Sequence, residues 1–334
     1  MAPPVDVLVV CIDATRGWTE ANRELEAGLR RAGASVETVL TGPVPRVRTF
    51  ALTDLTQALM ARRAAARGIA RHHPRAIIYC SITAALLWPR PGAIFLDATA
   101  HENRPGRHGV WQRPMESRRL AQAPLLLPWS ERSLVHAPAQ RAPAFTLPPP
   151  IEVPAPVPDG ADRDLAAITY AGDPVKRRLE HMLAAWHRAR RPGETLTVCG
   201  LDGFDPPDGV RSAGRVSRDQ FRRLLQRSRV FLAAPQREDH GIAALEALAC
   251  GCRLVTTAAR GAYPALDIAR AADPRLVGDD LAQGIRRALD EPAGEYASVV
   301  ARRLAPFTAE VMDRQLADVI LPRLLTGRPA AIRA

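Results

Sequence analysis

Lysine is almost missing from this chain: Lys176 is the one lysine among 46 basic residues, the rest being arginine. Cysteine is nearly as scarce. The five residues Cys11, Cys80, Cys199, Cys250 and Cys252 are odd in number and scattered. That excludes a disulfide framework and fits reduced thiols in a cytosolic protein. Cys250 and Cys252 stand too close for the usual zinc spacing. No H-x-x-H, H-E-x-x-H or acidic metal cluster is present, so no metal is expected. Aromatic residues make up only 5% of the chain, too few for an obvious base-stacking platform. With no nucleic-acid module in view, no nucleic-acid partner is expected. No apolar run reaches the roughly 18 residues of a membrane span. The N-terminal M-A-P-P-V-D-V-L-V-V-C enters a strand without the basic region and cleavage site of a signal peptide, which leads to the expectation of a cytoplasmic protein. The first strand-to-helix loop holds one glycine, Gly17, so it is not a G-x-G-x-x-G fingerprint and does not call for a dinucleotide cofactor.

What is present is enough material for two domains. The chain has 334 residues and is 47% hydrophobic. Its net charge of +11 is unevenly spread: residues 1–150 hold 19 arginines against 11 acids. Such a surface attracts phosphate or anionic lipid, although arginine-rich codon usage produces the same bias. Residues 5–12, 35–40, 76–80, 94–96 and 124–127 read as strands, and residues 19–31 and 52–71 as helices, the first opened by Thr19 as cap. Arg62, Arg63, Arg67 and Arg71 lie on the second helix, either as a solvated face or as a membrane-surface or anionic-acceptor patch. The polar loop 97–111 starts at the carboxyl end of a strand, where open α/β sheets place ligand loops. Proline-dense residues 148–158 form a stiff linker. Beyond it, residues 167–171, 196–199 and 230–234 read as strands, and residues 178–190 and 218–227 as helices. Alternating strand and helix implies parallel sheets with right-handed crossovers. A last helix is expected over residues 309–325.

The most informative stretch is 235–257, P-Q-R-E-D-H-G-I-A-A-L-E-A-L-A-C-G-C-R-L-V-T-T. Residues 242–250 are strong helix formers, and Gly251 stands where a left-handed cap would end the helix. Every face is apolar except at Glu246. A carboxylate buried there must be paired or must face a polar ligand. Gly241 sits at the helix start, where N–H groups and the helix dipole suit an anion. Glu238 lies on the approach loop, seven intervening residues before Glu246.

This stretch resembles the E-x7-E region of retaining GT-B glycosyltransferases, the large family 4, whose pattern is roughly E-G-F-G-L-x-x-L-E-A-M-A-x-G-x-P-V-V. I-T-Y-A-G, V-C-G-L-D-G and V-R-S-A-G-R-V-S-R-D-Q-F resemble successive segments of the same C-terminal domain. P-L-L-L-P-W-S-E-R-S-L and F-T-L-P-P-P-I-E-V resemble parts of the first domain. The resemblance implies an α/β protein of two Rossmann-like parallel-sheet domains facing a cleft. Residues 1–150 would be the acceptor domain and 151–308 the nucleotide-sugar domain. Residues 309–334 would hold a helix crossing back to the first domain, with a frayed tail.

By the same resemblance, Glu246 would bind the ribose hydroxyls and Glu238 would lie near the transferred sugar. The backbone at Gly241 and Ile242 would meet the phosphates, with His240, Gly172, Gly200 and Val216 as further donor contacts. The family's G-R-L-x-x-x-K-G phosphate loop is G-D-P-V-K-R-R here, so Lys176 or Arg177 would carry the charge on the leaving diphosphate. Asp173 stands where arginine is usual and would oppose a diphosphate. Leu96 replaces the family's histidine, leaving Asp97 and His101, with Gly17, as acceptor-side candidates; Asp13 and Thr15 are weaker ones. The implied activity is transfer of a sugar, with retention, from a nucleoside-diphosphate sugar to a glycan, lipid-linked or small-molecule acceptor. Peripheral contact with the inner membrane face through the basic first domain is a further expectation. The alternatives are an impaired homologue that binds sugar nucleotide or glycan, and an epimerase or phosphorylase on the same fold.

Overall fold

The computed structural model describes residues 4–12, 16–42, 47, 49–104, 106–153, 163–292 and 294–326. Asp13, Thr15, much of the proline-rich linker and the tail beyond residue 326 lie outside them. The chain divides into two compact units, residues 1–150 with 309–334, and residues 151–308.

The first unit is a five-stranded parallel sheet in the order β2-β1-β3-β4-β5. The strands are β1 (Val7–Cys11), β2 (Val36–Leu40), β3 (Ala76–Tyr79), β4 (Ala93–Leu96) and β5 (Leu126–Pro128); between them run α1 (Arg16–Arg31), α2 (Phe50–His72), α3 (Ile82–Ala85), α4 (Ala100–Asn103) and α5 (Gln112–Gln122). β1 is buried throughout because both sheet faces are covered. Val7, Val9 and Cys11 pack on one side with Leu25 and Leu29 of α1. Leu8 and Val10 pack on the other with Ala61 and Ala65 of α2. Alternation along the strand thus splits one apolar run between two cores. α1 starts at Arg16, so Thr19 lies inside it rather than capping it. α2 is capped by Thr49, whose hydroxyl accepts the Leu52 N–H at 3.3 Å.

The second unit is also a five-stranded parallel sheet, ordered β10-β9-β6-β7-β8. Its elements in chain order are β6 (Leu165–Tyr170), α6 (Leu179–Ala189), β7 (Leu196–Cys199), β8 (Val210–Gly214), α7 (Arg218–Arg227), β9 (Ser228–Ala233), α8 (Ile242–Ala249), β10 (Arg253–Thr256), α9 (Pro264–Ala272), α10 (Leu281–Asp290) and α11 (Tyr296–Leu304). One continuous core joins Ile168, Trp186, Leu232, Leu245, Val255 and Ile285. α8 is less deeply set than its composition suggested: Ala244, Leu245, Ala247 and Leu248 are buried, whereas Ile242, Ala243, Glu246 and Ala249 are half-buried. All five cysteines are free and buried.

Residues 309–326 return to the first unit. They form the one helical run expected over residues 309–325, with a π-helical turn inside it. α12 (Ala309–Gln315) and α13 (Leu321–Thr326) are separated by a π-helical segment, Leu316–Ile320. Met312 and Leu316 join the core beneath α1, and Arg31 binds Asp313 through Nε at 2.6 Å and Nη2 at 2.9 Å.

Candidate active site

In open α/β sheets, ligands bind at the carboxyl ends of the strands where the strand order reverses. In the second unit that point lies between β6 and β9, the central neighbours from which the sheet grows in both directions. Small residues line this edge. Gly172 follows β6, Gly200 follows β7 and Gly214 ends β8. Gly200 is left-handed (φ +98°), and a Cβ there would come within 2.9 Å of the Gly172 nitrogen. The loop after β9 ends at Gly241, also left-handed (φ +77°), which opens α8.

Two loops meet at this edge. The turn after β6 is shaped by Asp173, whose carboxylate accepts the Lys176 N–H at 3.0 Å. Asp173 therefore builds the loop that carries Lys176, a use for its charge that the sequence did not reveal. The Lys176 carbonyl accepts the N–H of Gln236 at 3.1 Å, tying this turn to the loop after β9. Glu238 is held on both sides: its N–H donates to the Arg260 carbonyl at 2.8 Å, and its carbonyl accepts from Tyr263 at 3.1 Å. The Arg177 guanidinium then forms an ion pair with the Glu238 carboxylate. Glu238 is 6% exposed. Burial pulls the Arg177 pKa below its ordinary value. Tyr263, hydrogen-bonded to Thr256 at 3.2 Å, is pushed up to about 12 by its own burial. Arg177, Glu238, Gly241, Ala244 and Tyr263 wall a cavity of about 20 Å³, space for about one water.

Glu246 faces the same end of the sheet from α8 and pairs with Arg218 of α7, Nε to Oε1 at 3.1 Å. α7 is fixed by a capping box between Ser217 and Gln220. Val216, just before it, is half-buried against the core. His240 is buried, its ring 5.9 Å from that of Phe307. Lys176 is exposed. The structure thus gathers Arg177, Glu238 and Gly241 around one cavity, and sets Glu246 apart from it with Arg218.

The first-unit candidates are not gathered together. Gly17 is in the first turn of α1, and His101 is exposed on α4. His101 stacks on His136 at 4.3 Å, and His136 Nε2 lies 2.5 Å from Glu102. The ligand atoms of these three residues lie within 4.8 Å of one another, the one metal-compatible cluster among the described residues. Asp97 instead lines a cavity of about 200 Å³ at the carboxyl ends of β1, β3 and β4. That cavity is walled by Arg104, from the polar loop marked in the sequence, and by Asp54, Gln112 and Glu116, which the sequence did not mark. Arg104 grips Asp54 with Nε at 2.6 Å and Nη2 at 2.8 Å, and Gln112 Nε2 donates to the same carboxylate at 3.0 Å. Glu116 accepts the Ala100 N–H at 2.6 Å, and burial raises its pKa to about 7.

Residues 180–301 match the family described as glycosyl transferases group 1. No curated protein matches the sequence. Solved structures match nearly the whole chain at low identity. A sucrose-phosphate synthase from Thermosynechococcus elongatus superposes with a TM-score of 0.74 at 16% identity, over 97% of this chain and 100% of that one. HepE of Anabaena, in complex with UDP-glucose, gives 0.68 at 13% identity, over 94% and 98%. WaaG, a glycosyltransferase involved in lipopolysaccharide biosynthesis, gives 0.63 at 14% identity, over 97% and 98%. The two parallel-sheet units have the GT-B fold of these structures, and residues 180–301 of the second unit match glycosyl transferases group 1.

Proposed function

We propose that this chain moves a sugar, with retention, from a nucleoside-diphosphate sugar to an acceptor hydroxyl. The observation that carries the reading is the Arg177–Glu238 pair beside Gly241 at the β6/β9 switch point, within a unit that matches glycosyl transferases group 1. The bond between the sugar and the diphosphate breaks, the diphosphate leaves with the electron pair, the acceptor oxygen bonds to the anomeric carbon, and the acceptor's hydroxyl proton passes to the departing diphosphate. The diphosphate would draw Arg177 away from Glu238, since a charge developing in a dry site is stabilised best by a preorganised cation. Lys176 reaches the same group from solvent, and the first N–H groups of α8 add a third donor set. Glu238, released, would hold the hydroxyls of the transferred sugar. Glu246 would take the ribose, with Gly172, Gly200, Val216, His240 and Ile242 as close neighbours of the nucleotide. No metal is required by this scheme, because cationic side chains meet the diphosphate charge.

The test is a calorimetric and thermal-shift panel of UDP, GDP, ADP and their sugars. UDP-glucose comes first, because HepE was solved with it. A selective response, followed by release of the nucleoside diphosphate in the presence of an acceptor, supports the transferase. Donor binding with neither transfer nor hydrolysis across many acceptors favours an impaired binding homologue. Release of sugar phosphate from a glycan given inorganic phosphate favours a phosphorylase.

A further inference from the structure

We propose that His101, Glu102 and His136 form a binding site for one divalent metal ion of the zinc class on the surface of the first unit. The ligand atoms of the three side chains lie within 4.8 Å of one another. His136 Nε2 is 2.5 Å from the Glu102 carboxylate. The His101 ring stacks on that of His136, with centroids 4.3 Å apart and planes inclined by 27°. Two imidazoles and one carboxylate are a donor set that zinc takes at about 2.0–2.2 Å, with a fourth position left to water. Around a tetrahedral ion at those lengths, ligand atoms stand roughly 3.3 Å apart. The two histidines are exposed and Glu102 is half-buried, so small side-chain rotations reach that spacing.

The backbone brings the three ligands together by itself. β4 and β5 pair in parallel with Leu96 opposite Pro128, so the segments leaving their carboxyl ends emerge side by side. One segment enters α4. There the Ala100 N–H donates to Glu116 at 2.6 Å, and the Glu102 N–H donates to the Thr99 carbonyl at 3.1 Å. The other makes a 3-10 turn, Glu131–Leu134. The Ser130 N–H donates to Ser133 Oγ at 3.2 Å before His136, and the Ala137 N–H donates to the Leu134 carbonyl at 2.9 Å after it. Ala100 and Leu134 are buried and anchor the two carriers. Ligands on fixed backbones lose less freedom when an ion joins them. No sequence spacing reveals the set, because His101 and Glu102 are neighbours in the chain and His136 comes from another loop.

An ion pair between Glu102 and His136 accounts for two of the three groups. The stacked ring of His101 adds a second nitrogen base at the same spot, which an ion pair does not need. Imidazole nitrogen selects zinc, cobalt, nickel and copper over magnesium and calcium, which take oxygen ligands. No step of the sugar-transfer scheme passes through this site, and the proposal stands whether or not the chain is a transferase. Its consequence is mechanical: a bound ion ties the exit of β4 to the exit of β5. Ala100 and Asn103 of α4 also line the 200 Å³ cavity, so the ion would hold one wall of that cavity from outside.

The experiment is titration calorimetry of zinc chloride into the untagged full chain, first stripped with a chelator, with magnesium and calcium chloride titrated in parallel. Saturable binding of one zinc ion is expected, and none of magnesium or calcium. Losing a group that merely supports a metal ligand weakens binding about 10-fold to 100-fold, so losing a ligand should cost at least as much in His101→Asn, His136→Asn and Glu102→Gln. His187→Asn, at an exposed histidine of α6, should bind like the parent. Zinc should raise the melting midpoint of the parent and of His187→Asn, and leave that of the other three variants in place. Metal-free midpoints show that each variant folds, and either histidine variant alone decides the matter. The proposal is overturned if zinc does not saturate, if magnesium binds as tightly, or if either folded histidine variant binds zinc like the parent.

Discussion

The guanidinium of Arg177, carried on the turn after β6, rests on the carboxylate of Glu238, carried on the loop after β9. Both side chains are mostly withdrawn from water, so each depends on the other. Breaking a buried pair by removing one partner leaves an uncompensated charge and costs roughly 3–5 kcal/mol. Glu238→Ala and Arg177→Ala are therefore each expected to be strongly destabilised in urea unfolding. The double variant Arg177→Met, Glu238→Gln should lose much less than the two costs together. Strict additivity would show that the pair is not a unit and would weaken the case for its exchange on donor binding.

Glu246 makes a different kind of pair. Its partner Arg218 is a third exposed, and such pairs contribute only about 0–1 kcal/mol. Glu246→Ala should leave the unfolding midpoint nearly unchanged while weakening nucleotide binding about 10-fold to 100-fold, the value of a charged hydrogen bond. Arg218→Ala should weaken binding far less. A folded Glu246→Ala protein with parental affinity would remove this residue from the donor site.

These two pairs also mark where sequence reading stops. The strands were legible because buried parallel strands are continuous apolar runs; β7 and α7 fall on the expected residues. β8, V-R-S-A-G, was not read, because it is an edge strand with one fully buried residue and no apolar run. α5 escaped for a chemical reason. Its inward face is Gln112, Glu116 and Leu120, so the helix buries polar groups and shows no hydrophobic period. The first-unit cavity is built largely from that face, from Asp54 and from Arg104, which lie far apart in the chain and become partners only through the fold. Asp173 read as a defect in a phosphate loop because the sequence cannot show that its carboxylate is spent on the Lys176 N–H.

Gly241 is fixed by two constraints that a control can separate. It is left-handed, and a Cβ there would lie 2.9 Å from the Tyr263 ring. A left-handed residue other than glycine costs roughly 1–2 kcal/mol, and about 1 kcal/mol moves the melting midpoint by roughly 2–4 °C in a domain of this size. Gly33 is also left-handed (φ +90°) but has nothing within 4 Å of its would-be Cβ. Gly33→Ala should show the backbone cost alone. Gly241→Ala should melt lower still and lose nucleotide affinity; equal midpoints would mean that Tyr263 yields freely.

The outer side of α2 combines exposed Phe50, Leu52 and Leu59 with exposed Arg62, Arg63, Arg67 and Arg71. No described helix is long and apolar enough to cross a membrane. Surface attachment through this helix predicts sedimentation with vesicles containing phosphatidylglycerol but not with phosphatidylcholine alone, and release by salt as the charges are screened. Phe50→Ser with Leu52→Ser should halve the bound fraction or more. Equal recovery with both vesicle types would dismiss the attachment.

Glu116 gives the first unit a pH signature of its own. Burial raises its pKa to about 7 from an ordinary 4.5, against the pull of the Ala100 N–H. A carboxyl whose folded pKa is raised contributes stability that is complete below about pH 4.5 and is lost as pH climbs through 7, because the folded chain holds the proton longer. A shift of that size corresponds to roughly 3 kcal/mol. Carboxylates such as Asp6 and Asp273, held low by Ser35 and Arg275 respectively, work in the opposite direction and mask it in the parent. They cancel in a difference. The stability of the parent minus that of Glu116→Gln, measured by urea unfolding from pH 5 to pH 8, should therefore fall steadily as pH rises. A flat difference would mean that Glu116 is solvated or paired in solution.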